Sequence, residues 1–263
     1  MPVELLIFPV LGVAAGLIAG LLGLGGGIVV VPVLIFTFAL LGIPADVATH
    51  MAVGTSLATI VITSFGSVRQ HHAQGAVRWD VFRFLAIGLV LGALMGAEVA
   101  DRMNARLLQM LFGGFAIVIA LQMVAGFRPH PNRDVPGGTG LSMAGIFIGL
   151  ASAIFGIGGG SLTVPYLTWC NVKMQHAVGT SSAGGMPIAI AGALGFVVTG
   201  WDAVGLPAYS VGYIYLPALL GIGVTSVVFA QVGARFAHRI PAETLKKCFG
   251  VILVLVGIKL IAG

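Results

Sequence analysis

Leu22-Gly-Leu-Gly-Gly-Gly-Ile-Val-Val-Val-Pro32 and Phe155-Gly-Ile-Gly-Gly-Gly-Ser-Leu-Thr-Val-Pro165 share their glycines and their proline, and each follows an apolar run. Chance rarely writes such a pattern twice in one chain. The two copies agree again at Ala52-Val-Gly-Thr-Ser56 and Ala177-Val-Gly-Thr-Ser181. They agree a third time where Gly96-Ala97, Arg102, Leu108 and Phe112-Gly113 meet Gly233-Ala234, Arg239, Leu245 and Phe249-Gly250. Similarity at this spacing marks a duplicated structural unit. It divides the chain into a first transmembrane repeat over residues 1–127, a second over 141–263, and a polar, Pro/Gly-rich cytoplasmic linker over 128–140. The N-terminal apolar run has its counterpart in Leu141 to Gly156 and no basic region before it, so it reads as part of the fold and not as a cleaved signal.

Composition names the solvent. Of 263 residues 58% are hydrophobic and only 8% charged, too few charges to cover the surface of a soluble domain. Most of the apolar stretches approach the roughly 20 residues that span a hydrocarbon core. Ile28 to Leu41 and Ser161 to Trp169 are shorter. The expected fold class is an all-α integral membrane protein with eight long segments and two short ones, each short or broken helix following a Gly-rich turn. The net charge of +5 sits in gaps between apolar segments and forms no basic face, so no nucleic-acid partner is expected. Cys170 and Cys248 lack any CxxC or Cys/His spacing and read as buried, inert thiols; no metal and no cofactor is expected.

Cytoplasmic loops carry the excess of Lys and Arg, which orients the halves. If each half crosses an odd number of times, the second is inverted, and one face collects Arg69, Arg78, Arg83, Arg128, Arg133, Lys173, Arg235, Arg239, Lys246 and Lys247. The other face keeps Arg102, Arg106 and Lys259. Four crossings per half would leave almost no bias. Two inverted-topology repeats are therefore expected, with both termini extracytoplasmic. Gly12, Gly16 and Gly20, like Gly88, Gly92 and Gly96, recur every four residues and should line tightly packed helix faces.

Gly25, Gly26 and Gly27, with Gly158, Gly159 and Gly160, interrupt helices where unpaired backbone against lipid is prohibitive, so the turns must face protein or a watery cavity. A resumed helix offers free N–H groups to an anion, and two such ends of about half a positive charge each would offset roughly one negative charge. Thr55 and Ser56, with Thr180, Ser181 and Ser182, put hydroxyls nearby, to donate to an anion or to cap a helix. His50 and His176 precede these motifs as candidates for proton coupling, although the repeat does not align them. His71 and His72 read as a solvated loop, and Glu98 as a partner for Arg102 one turn on. No P-loop or Rossmann unit accompanies the glycines. The expected partners are a small anion and the lipid bilayer, with homo-oligomerisation left open.

The paired Gly-Gly-Gly turn followed by Pro, then Ala-Val-Gly-Thr-Ser, resembles the sulfite exporter TauE/SafE family over essentially the whole chain, including Gly75-Ala-Val-Arg-Trp79. The resemblance implies a transporter of the bacterial inner membrane that exports or exchanges sulfite, sulfoacetate or a related organosulfonate, driven by the proton gradient. The second copy departs from the first where Pro165 to Ala177 is shorter and Ser182-Ala-Gly-Gly replaces Leu57-Ala-Thr-Ile. The rival readings are a passive anion channel and a carrier of a non-sulfur carboxylate. An enzyme is disfavoured because no nucleophile and base pair is apparent.

Overall fold

The computed structural model describes residues 2–22, 27–125, 134–237 and 242–263. The first copy holds α1 (Pro2–Leu22), α2 (Gly27–Leu40), α3 (Ala45–Ala73), α4 (Trp79–Asp101) and α5 (Ala105–Ala125). The second holds α6 (Gly138–Ile154), α7 (Gly160–Trp169), α8 (Met174–Thr199), α9 (Leu216–Ala237) and α10 (Ala242–Ala262). The all-α class and the long and short segments follow the expectation. Helices α3, α4, α5, α8 and α9 are long and apolar enough to cross a membrane. Their outward faces carry large exposed apolar side chains such as Ile87, Leu91, Val118, Leu121 and Leu220, the surface that lipid requires.

Packing exchanges elements between the copies. The first helix of each copy lies along the fourth of the other, α1 on α9 and α6 on α4. The glycine stripes make this possible. A methyl group at Gly88 would sit 1.9 Å from the Ser142 carbonyl oxygen, and one at Gly92 would sit 2.1 Å from that of Ile146. Gly12 and Gly16 meet Ile222 and Ser226 of α9 in the same way. Both pairs run parallel. Equivalent helices, in contrast, run antiparallel: Gly54 meets Phe196 and Gly192 meets Leu57 between α3 and α8, while Gly113 meets Gly257 and Gly250 meets Val124 between α5 and α10.

Several expectations shift in detail. Helix α6 begins at Gly138 and not at Leu141, so Gly138, Thr139 and Gly140 leave the linker; residues 128–133 of that linker lie outside the described residues. Helix α3 runs through His71 and His72, which are its last turn and not a loop. It stops in a Schellman cap, with Gly75 N–H bonded to the His72 carbonyl and Ala76 N–H to that of His71. The residues just before α9 are not helical. Ser210–Val211 pairs with Ile214–Tyr215 in a short antiparallel ladder, because Gly212 adopts φ 54° and turns the chain in two residues. Cys170 is buried as expected, but Cys248 is exposed on the outward side of α10.

Candidate functional site

Helix α6 ends in the same cap as α3. Gly156 N–H bonds to the Ala153 carbonyl and Ile157 N–H to that of Ser152, with Gly156 at φ 63°. The left-handed conformation there favours glycine. Gly159 takes φ 75° and starts α7, and its carbonyl accepts from the N–H groups of both Leu162 and Thr163. Two left-handed glycines thus separate α6 from α7 and leave the first N–H groups of α7 at the turn.

Gly27, the first residue of α2, touches the second glycine turn. A methyl at Gly27 would stand 2.5 Å from the Gly156 carbonyl oxygen and 2.9 Å from Ile157 Cα. Around this junction lie the middles of the two central helices. Ile60, halfway along α3, borders both Gly27 and Gly158, and Gly185 of α8 faces the Gly158 carbonyl, 2.7 Å from where its Cβ would be. Gly25 and Gly26 lie outside the described residues.

The hydroxyl motifs hold this framework crosswise. Thr55 Oγ1 accepts the Tyr215 N–H at 3.0 Å, just before α9, and Thr180 Oγ1 accepts the Arg78 N–H at 3.0 Å, just before α4. Each threonine therefore satisfies an orphan donor at a helix start in the opposite copy. Ser56 Oγ donates to the Gly156 carbonyl at 2.8 Å and so braces the second turn from α3. Ser181 Oγ is buried and makes no hydrogen bond among the described residues, and Ser182 is half-buried. Gly158 and Gly160 line the turn with partial exposure.

The histidines sit away from the junction, at opposite ends of the bundle. His50 Nε2 lies 3.0 Å from the Ala100 carbonyl oxygen and 3.1 Å from that of Met103, at the C-terminal end of α4. Two carbonyl partners require a proton on that nitrogen. Its Nδ1 is buried without a partner among the described residues, and its ring stacks on Tyr213 at 5.2 Å. Tyr213 donates to Asp101 at 3.1 Å, and burial first, then the Asp101 charge and hydrogen bond, push its pKa up to about 12. His176 Nδ1 lies 3.2 Å from the Ala76 carbonyl oxygen, beyond the far end of α3. Glu98 pairs with Arg102 at 2.7 Å on the exposed face.

Ser152 and Thr163 are not among the residues that the repeated motifs share. Both are fully buried, and neither hydroxyl has a hydrogen-bond partner among the described residues. The signal was available, because the positions equivalent to them in the first copy are Ala19 and Val30.

Residues 8–260 match the sulfite exporter TauE/SafE family. The chain belongs to this family. It is 38% identical to a probable membrane transporter protein of Haemophilus influenzae over 95% of each chain. It is 28% identical to a probable membrane transporter of Methanocaldococcus jannaschii, over 97% of this chain and 95% of that one. Identity to the probable membrane transporter YunE of Bacillus subtilis is also 28%, over 97% and 96%. No solved structure matches the chain. With its apolar helices, this TauE/SafE member is a multi-pass membrane protein of a transporter family.

Proposed function

We propose that the chain is a secondary transporter of the bacterial inner membrane that exports a small sulfur-containing anion, such as sulfite, sulfoacetate or a related organosulfonate. Alternating access occurs around the junction of the two glycine turns, coupled to protons. The carrying observation is the contact of Gly27 with Gly156 and Ile157, halfway along the central helices. Broken helices that meet near the bilayer midplane suit a solute that must shed water, because their N-terminal N–H groups replace part of its hydration. Antiparallel packing of α3 on α8 and of α5 on α10 supports two copies of opposite membrane orientation. With the Arg-rich loops cytoplasmic, both termini are extracytoplasmic. Gly25, Gly26, Gly158, Gly159 and Gly160 then supply backbone donors, while Thr55, Thr180 and Ser56 keep the turns and helix starts in place.

Purified protein in liposomes tests this directly. Internal unlabelled sulfoacetate should accelerate uptake of labelled sulfoacetate, and an imposed pH gradient should drive accumulation that a protonophore abolishes. Conductive flux with no counterflow would replace the transporter by a passive anion channel, and preference for acetate or succinate would replace the sulfur anion by a carboxylate.

A further inference from the structure

We propose that the junction binds its solute unevenly, through an oxyanion subsite in the second copy alone, where Ser152 Oγ and Thr163 Oγ1 donate to oxygens of the solute at the N-terminus of α7. It presupposes an anion-transporting chain and adds which residues select the anion.

Both hydroxyls converge on Gly159, the residue that starts α7. A point one bond from its Cα, where a side chain would begin, lies 3.4 Å from Thr163 Oγ1 and 3.7 Å from Ser152 Oγ. Thr163 belongs to the first turns of α7, and helical side chains lean toward the N-terminus, which aims its hydroxyl at the turn. Ser152 comes from the last turn of α6, so the two donors reach one spot from two helices.

Neither hydroxyl has settled into its own helix. Thr37 on α2 donates to the Val33 carbonyl at 2.7 Å, and Thr168 on α7 to that of Val164 at 3.0 Å, as buried helical threonines commonly do. For Thr163 the corresponding acceptor is the Gly159 carbonyl, which already takes the N–H groups of Leu162 and Thr163. A buried hydroxyl without a partner is costly to keep. Two at one helix N-terminus are explained by a partner that arrives from outside. That partner must be an acceptor with more than one oxygen to meet donors from two helices, and negative charge suits the positive end of α7. The class is a small oxyanion, sulfonate or sulfite included. The Ile188 Cδ1 methyl, 2.5 Å from the same point, is a group that must turn aside as the oxyanion docks.

The first copy carries apolar side chains at the positions equivalent to these hydroxyls, Ala19 and Val30. Ile28 and Val30 stand where the second has Ser161 and Thr163, and both are buried.

The test uses the full-length purified chain and titration calorimetry with sulfite, sulfoacetate and sulfate. Thr163→Val and Ser152→Ala should each weaken oxyanion binding about tenfold or more, the loss expected for a hydrogen bond to a charged group. Thr163→Ser, which keeps the hydroxyl, should bind within about threefold of the unaltered chain. Without anion, Thr163→Val should melt at or above the parent temperature, since a methyl of the same shape replaces an unpaired hydroxyl. Unchanged affinity in both Thr163→Val and Ser152→Ala overturns the subsite and leaves anion transport standing. A fall in the anion-free melting temperature of Thr163→Val also overturns it, because the hydroxyl is then structural. Failure of the unaltered chain to bind any of the three anions overturns both the subsite and the transport function on which it depends.

Discussion

The first glycine turn leads into Gly27-Ile-Val-Val-Val31, all of it buried, whereas the second leads into Gly160-Ser-Leu-Thr-Val164, where polar and partly exposed positions appear. Backbone requirements are the same in both copies, which keep their glycines and the proline five residues on. Side-chain chemistry is not. Duplication supplies two equal scaffolds, and once they meet at a single junction, only one needs to carry the polar groups. The first copy becomes the wall against which the second copy's turn is held, through Gly27 and Ser56, both of which face Gly156.

The strongest way to break this comparison is at the contact itself. Gly156→Ala forces a side chain into a left-handed backbone, about 1–2 kcal/mol. It also sets a methyl 2.8 Å from Val31 and 3.1 Å from the Val53 backbone. Overpacking adds about 1–3 kcal/mol. Gly158→Ala, at ordinary φ and 3.2 Å from a movable Ile60 methyl, should cost far less. Thermal unfolding in detergent ranks the two, and equal melting temperatures would mean that the junction is looser than its geometry.

Next in size is the threonine pair. Thr55→Val removes the acceptor that Thr55 Oγ1 offers to the buried Tyr215 N–H, a loss of about 1–3 kcal/mol. Thr180→Val does the same to Arg78 at a half-buried site, where water can replace the hydroxyl, so its loss should be the smaller. Comparable melting shifts for both would make the two copies energetically alike at this level.

Much of this was legible before any coordinates. Apolar run length placed the helices, and the doubled Gly-Gly-Gly and Ala-Val-Gly-Thr-Ser motifs marked the junction. The threonines show what was hidden: their hydroxyls could be assigned to ligand or to capping, but the partners lie 160 residues away for Thr55 and 102 for Thr180, in the other copy. No local pattern announces such a bond. The hairpin at Ser210 to Tyr215 merges by composition with the apolar run of α9, because Val211, Tyr213, Ile214 and Tyr215 are all apolar or aromatic, and only Gly212 betrays the turn. Ser152 and Thr163 are hidden for another reason: the shared motifs of the repeats do not include them, and the informative positions are those where the copies differ.

Swapping one such position sharpens the comparison further. Val30→Thr gives the first turn the hydroxyl that Thr163 gives the second. Val30 is buried among apolar neighbours, so the variant should lose about 1–2 kcal/mol for the unpaired hydroxyl. It should gain no affinity for sulfoacetate. A gain would mean that either turn serves once it has a donor, and the asymmetry would be an accident of sequence.

The smallest effect is expected where the copies differ at their ends. His50 stacks on Tyr213, while His176 meets the Ala76 backbone at the corresponding place beside the other threonine-capped helix start. Tyr213 has a pKa raised from 10.0 to about 12, so the folded chain holds its phenol neutral where the unfolded chain has begun to ionise. The stability this provides is complete below the ordinary value and is lost as pH rises through the folded one. Unfolding midpoints between pH 10 and pH 12 should therefore fall more steeply for the parent than for Tyr213→Phe, with little difference between their slopes at pH 7. Parallel slopes across the alkaline window would show that the Tyr213 to Asp101 bond does not hold the hairpin to α4, and would leave the stacking on His50 to do so.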